Sequence, residues 1–286
     1  MISVFKFFGK LPLSFLRATG FCFSWGYWFF SKKYRLRFKK NWETAMKYSN
    51  RQLDGTSLRL AVGRTGTFIF ELPKIWCSKG LRDIVEVDGY AQVELLLRQG
   101  NGLICLSPHL GSFELIPRIF YETVPINILY KPSKNIFLNQ ILKELRPTKN
   151  IKMIEPNFSG IKKIFTALKK GEIVGLLPDQ VPPYEHGITE SFFGRPAHTM
   201  TLASKLILMT SAPVVWTQVH YKKSGWRVTI TPWDLKKFAN KDTFELTRSM
   251  NKKIEKLVLE EPESYMWGYD RYKMPRKILK PLHKNF

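Results

Sequence analysis

The chain has 286 residues, room for one large domain or two small ones. At 44% hydrophobic residues it carries enough apolar side chain for a sizeable core, which argues against wholesale disorder. Lysine and arginine number 46 against 23 acidic residues, a formal net charge of +23, so the partners to look for are polyanionic: nucleic acid, anionic lipid or an acidic carrier protein.

In chain order, Leu11 to Phe30 comes first, a largely apolar stretch with one charge at Arg17. Its length is about the 20 residues that crossing a bilayer needs. Pro12, Arg17 and Gly20 weigh against a spanning helix, and no small-residue cleavage site follows. Six basic residues then lie between Lys32 and Lys40, the pattern of a cytoplasmic, headgroup-binding flank. Three readings stay open: a spanning anchor, an interfacial helix, or a buried helix with a solvated basic tail. We expect residues 1–31 to form a hydrophobic membrane-associating segment and residues 32–286 a single domain.

Short apolar runs predict buried strands at Leu103–Leu106, Ile126–Tyr130, Ile173–Leu177, Pro213–Val219 and Trp226–Thr231. Helical spacing of Ile161, Ile164, Phe165 and Leu168, with Gly171 as a stop, predicts a helix between them. Met200–Met209 and Asp242–Leu259 also read as helices. The alternation predicts an α/β fold: one layered domain, a central mixed sheet flanked by helices. The cysteines, Cys22, Cys77 and Cys105, form no CxxC or Cys/His pattern, so neither a disulfide framework nor structural zinc is expected.

The segment Leu103-Ile-Cys-Leu-Ser-Pro-His109-Leu-Gly-Ser-Phe-Glu114 carries the chemistry. A strand ends at Pro108 and a histidine follows at once, where α/β sheets gather their sites. His109 and Glu114 are five residues apart, about 500° on a helix, so they meet only across a turn, which Gly111 and Ser112 allow. A carboxylate on one imidazole nitrogen leaves the other as a general base. Cys105 lies inside the strand and Ser107 precedes a proline, so neither is read as a covalent nucleophile.

The run His-Leu-Gly-Ser-Phe-Glu resembles the H-x4-D/E motif of the lysophospholipid acyltransferase superfamily, and most closely its branch that adds secondary acyl chains to lipid A. Further segments resemble that branch in order: Tyr130-Lys131-Pro132, Pro178-Asp179-Gln180, Phe192-Phe193-Gly194-Arg195-Pro196-Ala197-His198-Thr199, and Pro262 through Lys273. Two departures touch substrate contacts: Lys131 stands where the branch has arginine, and Tyr269-Asp270-Arg271 replaces a more basic tripeptide.

The resemblance implies transfer of a fatty acyl chain from acyl-acyl carrier protein to the hydroxyl of a 3-hydroxyacyl chain on a phosphorylated lipid A precursor. His109 is the expected base and Glu114 its orienting partner. Arg146 is the candidate oxyanion cation, and Asp179 orients Arg146 or a substrate hydroxyl. Gln180, Lys131 and Arg195 are further candidate substrate contacts. No metal and no cofactor are expected, nor nucleic acid as a partner; the expected place is the cytoplasmic face of a bacterial inner membrane. Two alternatives remain: the same chemistry on a lysophospholipid, glycolipid or ornithine lipid, and a non-catalytic basic protein that binds membrane or nucleic acid.

Overall fold

A computed structural model describes residues 2–50, 55–78, 80–120, 124–133, 135–238 and 242–275. Its centre is a seven-stranded sheet. The strands are β1 (Val85–Asp88), β2 (Leu103–Leu106), β3 (Ile126–Leu129), β4 (Ile151–Ile154), β5 (Ile173–Leu176), β8 (Val214–Lys222) and β9 (Gly225–Pro232), in the order β1-β9-β8-β2-β5-β3-β4. Every neighbouring pair is parallel except the β8–β9 hairpin, which makes the sheet mixed, as expected. β6 (Gly187–Phe192) and β7 (Arg195–Met200) form a separate antiparallel hairpin.

The central strands are buried on both faces, so they read as continuous apolar runs rather than alternating ones. Ile104, Leu106, Val174, Leu176, Val214 and Trp216 face one helical layer: α8 (Phe158–Lys169), α9 (Leu202–Thr210) and α10 (Thr243–Glu260). Leu103, Cys105, Ile126, Ile128, Ile173 and Val215 face the other: α5 (Tyr90–Leu97), α6 (Ile116–Phe120), α7 (Ile136–Leu145) and the end of α4 (Gly55–Cys77). Caps fix several helix ends: the Asn157 side chain accepts from Gly160 N–H (2.8 Å) and the Asp242 side chain from Glu245 N–H (2.9 Å). The predicted helix from Met200 begins only at Leu202, because residues 195–200 pair as β7.

Ahead of the sheet lie α1 (Ile2–Phe8), α2 (Leu13–Phe30) and α3 (Lys32–Tyr48). Among the described residues no helix is long and apolar enough to cross a membrane, so the spanning reading of Leu11–Phe30 does not stand. The physical reason is visible in α2. It buries a stripe of Leu16, Gly20, Ser24 and Trp28: Ser24 Oγ donates to Val62 O on α4 (2.6 Å), Trp28 packs on Tyr34 and Phe38 of α3, and a β-carbon at Gly20 would stand 2.7 Å from the Gly66 carbonyl oxygen. Arg17, the charge inside the apolar run, turns inward to a carboxylate: its Nε donates to Glu71 Oε1 at 2.5 Å.

Candidate active site

β2 and β5 are parallel neighbours, with Leu106 opposite Leu176. Three residues beyond each partner stand His109 and Asp179, so the two loops leave the same edge of the sheet side by side. The last ladder bond runs from Ser107 N–H to Leu176 O (3.2 Å). Pro108 then ends the strand, and Leu110 N–H donates back to Pro108 O (2.8 Å), a tight turn centred on His109.

Asp179 holds His109 twice. One carboxylate oxygen lies 2.7 Å from the ring Nδ1, and the other accepts the His109 backbone N–H at 3.0 Å. Asp179 is 2% exposed. Burial alone would raise its pKa, but the electrostatic pull of the His109 side chain, the two hydrogen bonds and the nearby Arg271 charge outweigh burial and lower it. An ionised carboxylate only accepts, so Nδ1 carries the proton. The Gln180 side-chain amide stands 3.0 Å from Nε2, which leaves that nitrogen as the acceptor. The Phe113 ring packs edge-on against the imidazole, 4.8 Å between centroids.

Glu114 does not reach His109. Its carboxylate accepts a two-pronged bond from Arg146, Nε at 2.7 Å and Nη2 at 2.5 Å, and a third bond from Trp76 Nε1 at 3.3 Å. The expected pairings are therefore crossed: Asp179 orients the imidazole, and Glu114 takes the arginine. Gly111 explains the crossing. It sits at φ 56°, donates to Ser264 O (2.8 Å), and a β-carbon there would stand 2.8 Å from Val219 O. The chain reverses at this point and enters a 3-10 turn at Phe113–Leu115, which points Glu114 away from His109 into a narrow slot. Ser107, Phe113, Ile116, Ile126, Ile128 and Gly175 line that slot together with Glu114 and Arg146. Arg118 braces the arginine's backbone by donating to the carbonyls of Leu145 (2.8 Å) and Arg146 (3.1 Å).

Lys131 is exposed just past β3. Arg195 stacks on Tyr272, 3.9 Å from guanidinium to ring centre, and reaches Thr44 Oγ1 at 3.5 Å; no bond joins it to the His109 cluster. Its motif is a hairpin turn: Phe193 and Gly194, at φ 47° and 71°, link the paired residues Phe192 and Arg195. Phe192 and Phe193 are core residues. The Cys105 thiol, wholly buried against Thr217, has its pKa pushed up to about 12 by burial. Ser107 Oγ donates to Pro108 O (3.0 Å), not to His109. Among the described residues no group of three His, Cys, Asp or Glu side chains is placed to hold a metal.

The C-terminal segment clamps both loops. Leu110 pairs with Tyr265, and the Tyr269 hydroxyl accepts from Val181 N–H at 2.9 Å. Arg271, 2% exposed, donates to His198 O (2.7 Å) and Thr199 Oγ1 (2.8 Å).

The family model for bacterial lipid A biosynthesis acyltransferase matches residues 1–274. The chain belongs to that family. It is 28% identical over 220 residues to a lipid A biosynthesis palmitoleoyltransferase of Escherichia coli (strain K12), covering 76% of this chain and 69% of the relative. It is equally similar, with the same coverage, to a lipid A biosynthesis acyltransferase of Shigella flexneri. A lipid A biosynthesis lauroyltransferase of Escherichia coli (strain K12) is 27% identical over 202 residues, 69% of this chain and 65% of that one. The protein is thus an O-acyltransferase of the lipid A secondary acyltransferase type, and the family implies a lipid A-type acceptor.

Proposed function

We propose that this acyltransferase moves a fatty acyl chain from acyl-acyl carrier protein to the hydroxyl of a 3-hydroxyacyl chain on a phosphorylated lipid A precursor, with His109 as general base and Asp179 as its orienting partner. The observation that supports the chemistry is the 2.7 Å contact between Asp179 and Nδ1: beside an ionised carboxylate that nitrogen carries the proton, and Nε2 is left with the lone pair. Nε2 takes the hydroxyl proton as the oxygen attacks the thioester carbonyl. The tetrahedral intermediate collapses, the C–S bond breaks, and the imidazolium returns the proton to the leaving thiolate. General base catalysis of this kind supplies roughly 10²–10⁴-fold. Gln180, on Nε2, marks where the substrate hydroxyl arrives and positions it. Arg146 spends Nε and Nη2 on Glu114 and turns Nη1 to the developing oxyanion.

The site works at the cytoplasmic face of the inner membrane, held by an interfacial surface. The outward sides of α1 and α2 present Phe7, Phe15, Phe23, Tyr27, Phe29 and Phe30, the last 93% exposed. Exposed aromatics beside the basic residues of α3 suit a headgroup region of anionic lipid. The net charge of +23 also suits an acidic carrier protein and a phosphorylated acceptor. Lys131, exposed past β3, and Arg195, stacked on Tyr272, are left to headgroup or phosphate contacts.

The test is detergent-purified protein with acyl-acyl carrier proteins of several lengths and a tetra-acylated lipid A precursor, read by mass spectrometry. A gain of one acyl group, absent in His109→Ala, is the expected result. No gain with any donor, from folded protein, overturns the acceptor or the donor; lysophospholipid and glycolipid acceptors in parallel separate the two.

A further inference from the structure

The turn between His109 and Glu114 is anchored by a buried carboxylate on a different layer of the molecule. Glu71, on α4, is fully buried and makes three contacts. Arg17 Nε pairs with Oε1, while the Ser112 hydroxyl and Trp226 Nε1 (3.3 Å) both donate to Oε2. Ser112 is itself fully buried and stands midway along the catalytic turn. Arg17 is held in its turn by donating to Lys222 O (2.6 Å) and Gly225 O (2.8 Å), and its guanidinium lies over the rings of Tyr221 and Trp226. One chain of contacts therefore runs from α2 through Arg17 and Glu71 to Ser112, two residues from Glu114 and three from His109.

We propose that Glu71 is a positioning residue for acyl transfer: it fixes the Ser112 hydroxyl, and with it the turn that sets His109 and Glu114 at their working places. Neither Glu71 nor Ser112 touches the reacting atoms. Their effect is geometric, and a misplacement of about 1 Å at a reacting group is enough to cost on the order of 10²-fold in rate. A buried ionic network is an expensive way to hold a turn whose backbone already has bonds to Ser264 and Asp179. Its place, bonded to the middle of the segment that carries both site residues, is what a positioning role requires. The proposal rests on the transfer reaction described above.

The experiment compares Ser112→Ala, Glu71→Gln and their double variant with the wild type and His109→Ala in the same acyl transfer assay, about 20 °C below each variant's own melting temperature. Ser112→Ala leaves the Arg17–Glu71 pair intact, so it stays interpretable if Glu71→Gln unfolds. The expected result is a kcat reduced about 10–100-fold in each single variant, with KM for donor and acceptor within about twofold of wild type. The double variant falls no further than the worse single one, because both act through one contact. Ser112→Ala with wild-type kcat, while the wild type transfers and His109→Ala does not, overturns the positioning role, as do effects that multiply in the double variant. A wild type that transfers nothing overturns the reaction itself.

Discussion

Asparagine at position 179 would keep the shape of the buried carboxylate and lose its ability to accept at both terminal atoms. In the wild type one oxygen takes the His109 backbone N–H (3.0 Å) and the other faces Nδ1 (2.7 Å). An amide has one oxygen and one NH₂ group. If the oxygen keeps the backbone bond, the NH₂ faces Nδ1, which must then accept, and the proton moves to Nε2. That tautomer has no lone pair for the substrate hydroxyl. If the amide flips, its NH₂ opposes the backbone N–H and the turn is strained. The corresponding carboxylate-to-amide change in a serine-protease triad costs about 10⁴-fold through the same tautomer reversal, and we expect kcat here to fall about 10³–10⁴-fold. Single-turnover transfer, with Glu114→Gln alongside, is the assay. Glu114→Gln keeps one oxygen for Arg146 and leaves the imidazole untouched, so its loss should be smaller. An Asp179→Asn enzyme within tenfold of wild type, beside a Glu114→Gln enzyme down 10³-fold, would refute the assignment of the orienting carboxylate.

Cys105→Ala should retain acyl transfer and show no burst of covalent acyl-enzyme by mass spectrometry, because burial holds the thiol protonated with a pKa of about 12. Arg17→Met strands Glu71 without its cation and should cost about 3–5 kcal/mol of stability in urea titration, whereas Arg17→Met with Glu71→Met should recover most of it. In the single variant burial still raises the Glu71 pKa, now without the guanidinium that opposes it. The folded carboxyl then binds its proton more tightly than the unfolded one. Its deficit is therefore smallest at low pH and grows as pH rises above about 4.3, which titrations at two pH values would show. Asp179 has the opposite sign: its lowered pKa contributes stability in full above the ordinary carboxylate value of about 3.9, lost as pH falls through the folded value. Acid titration of Asp179→Asn should accordingly converge on wild type below about pH 4, and a constant gap down to acid unfolding would contradict it.

β2 and β5 were legible because burial on both faces leaves continuous apolar runs, and β2, β3, β5, β8 and β9 fall within a few residues of their predicted ends. β1, with alternating exposed residues, and β4, with exposed Lys152, carry no such run and were missed. His109 was legible from its place after β2. Its partner was not, because pairing depends on strand order, which periodicity does not encode. One signal did lie in the sequence: Leu106-Ser-Pro-His109 and Leu176-Leu-Pro-Asp179 are the same strand exit written twice, and parallel neighbours bring equal offsets together. Arg17 looked like a flaw in an apolar helix, since nothing local announces a buried carboxylate 54 residues away. Trp76, which completes the Glu114 site from the end of α4, gave no signal either.

The five-residue spacing of His109 and Glu114 has a physical reason that differs from direct contact between them. The residues between them are docked on two parts of the fold, the C-terminal segment and α4. Leu110 pairs with Tyr265, Gly111 donates to Ser264, Ser112 binds Glu71, and Phe113 stacks on Phe68 at 4.7 Å while touching the imidazole. The two ends of the segment go to separate electrostatic partners, Asp179 from β5 and Arg146 from beyond α7. The division gives each positive or protonatable group its own carboxylate: the imidazole answers to Asp179, the guanidinium to Glu114. A direct His109–Glu114 pair would leave the Asp179 and Arg146 charges buried without their present partners, a cost of several kcal/mol per ion in a low-dielectric setting. The crossed arrangement gives all four groups a charged or polar partner, with Gln180 as the partner of Nε2.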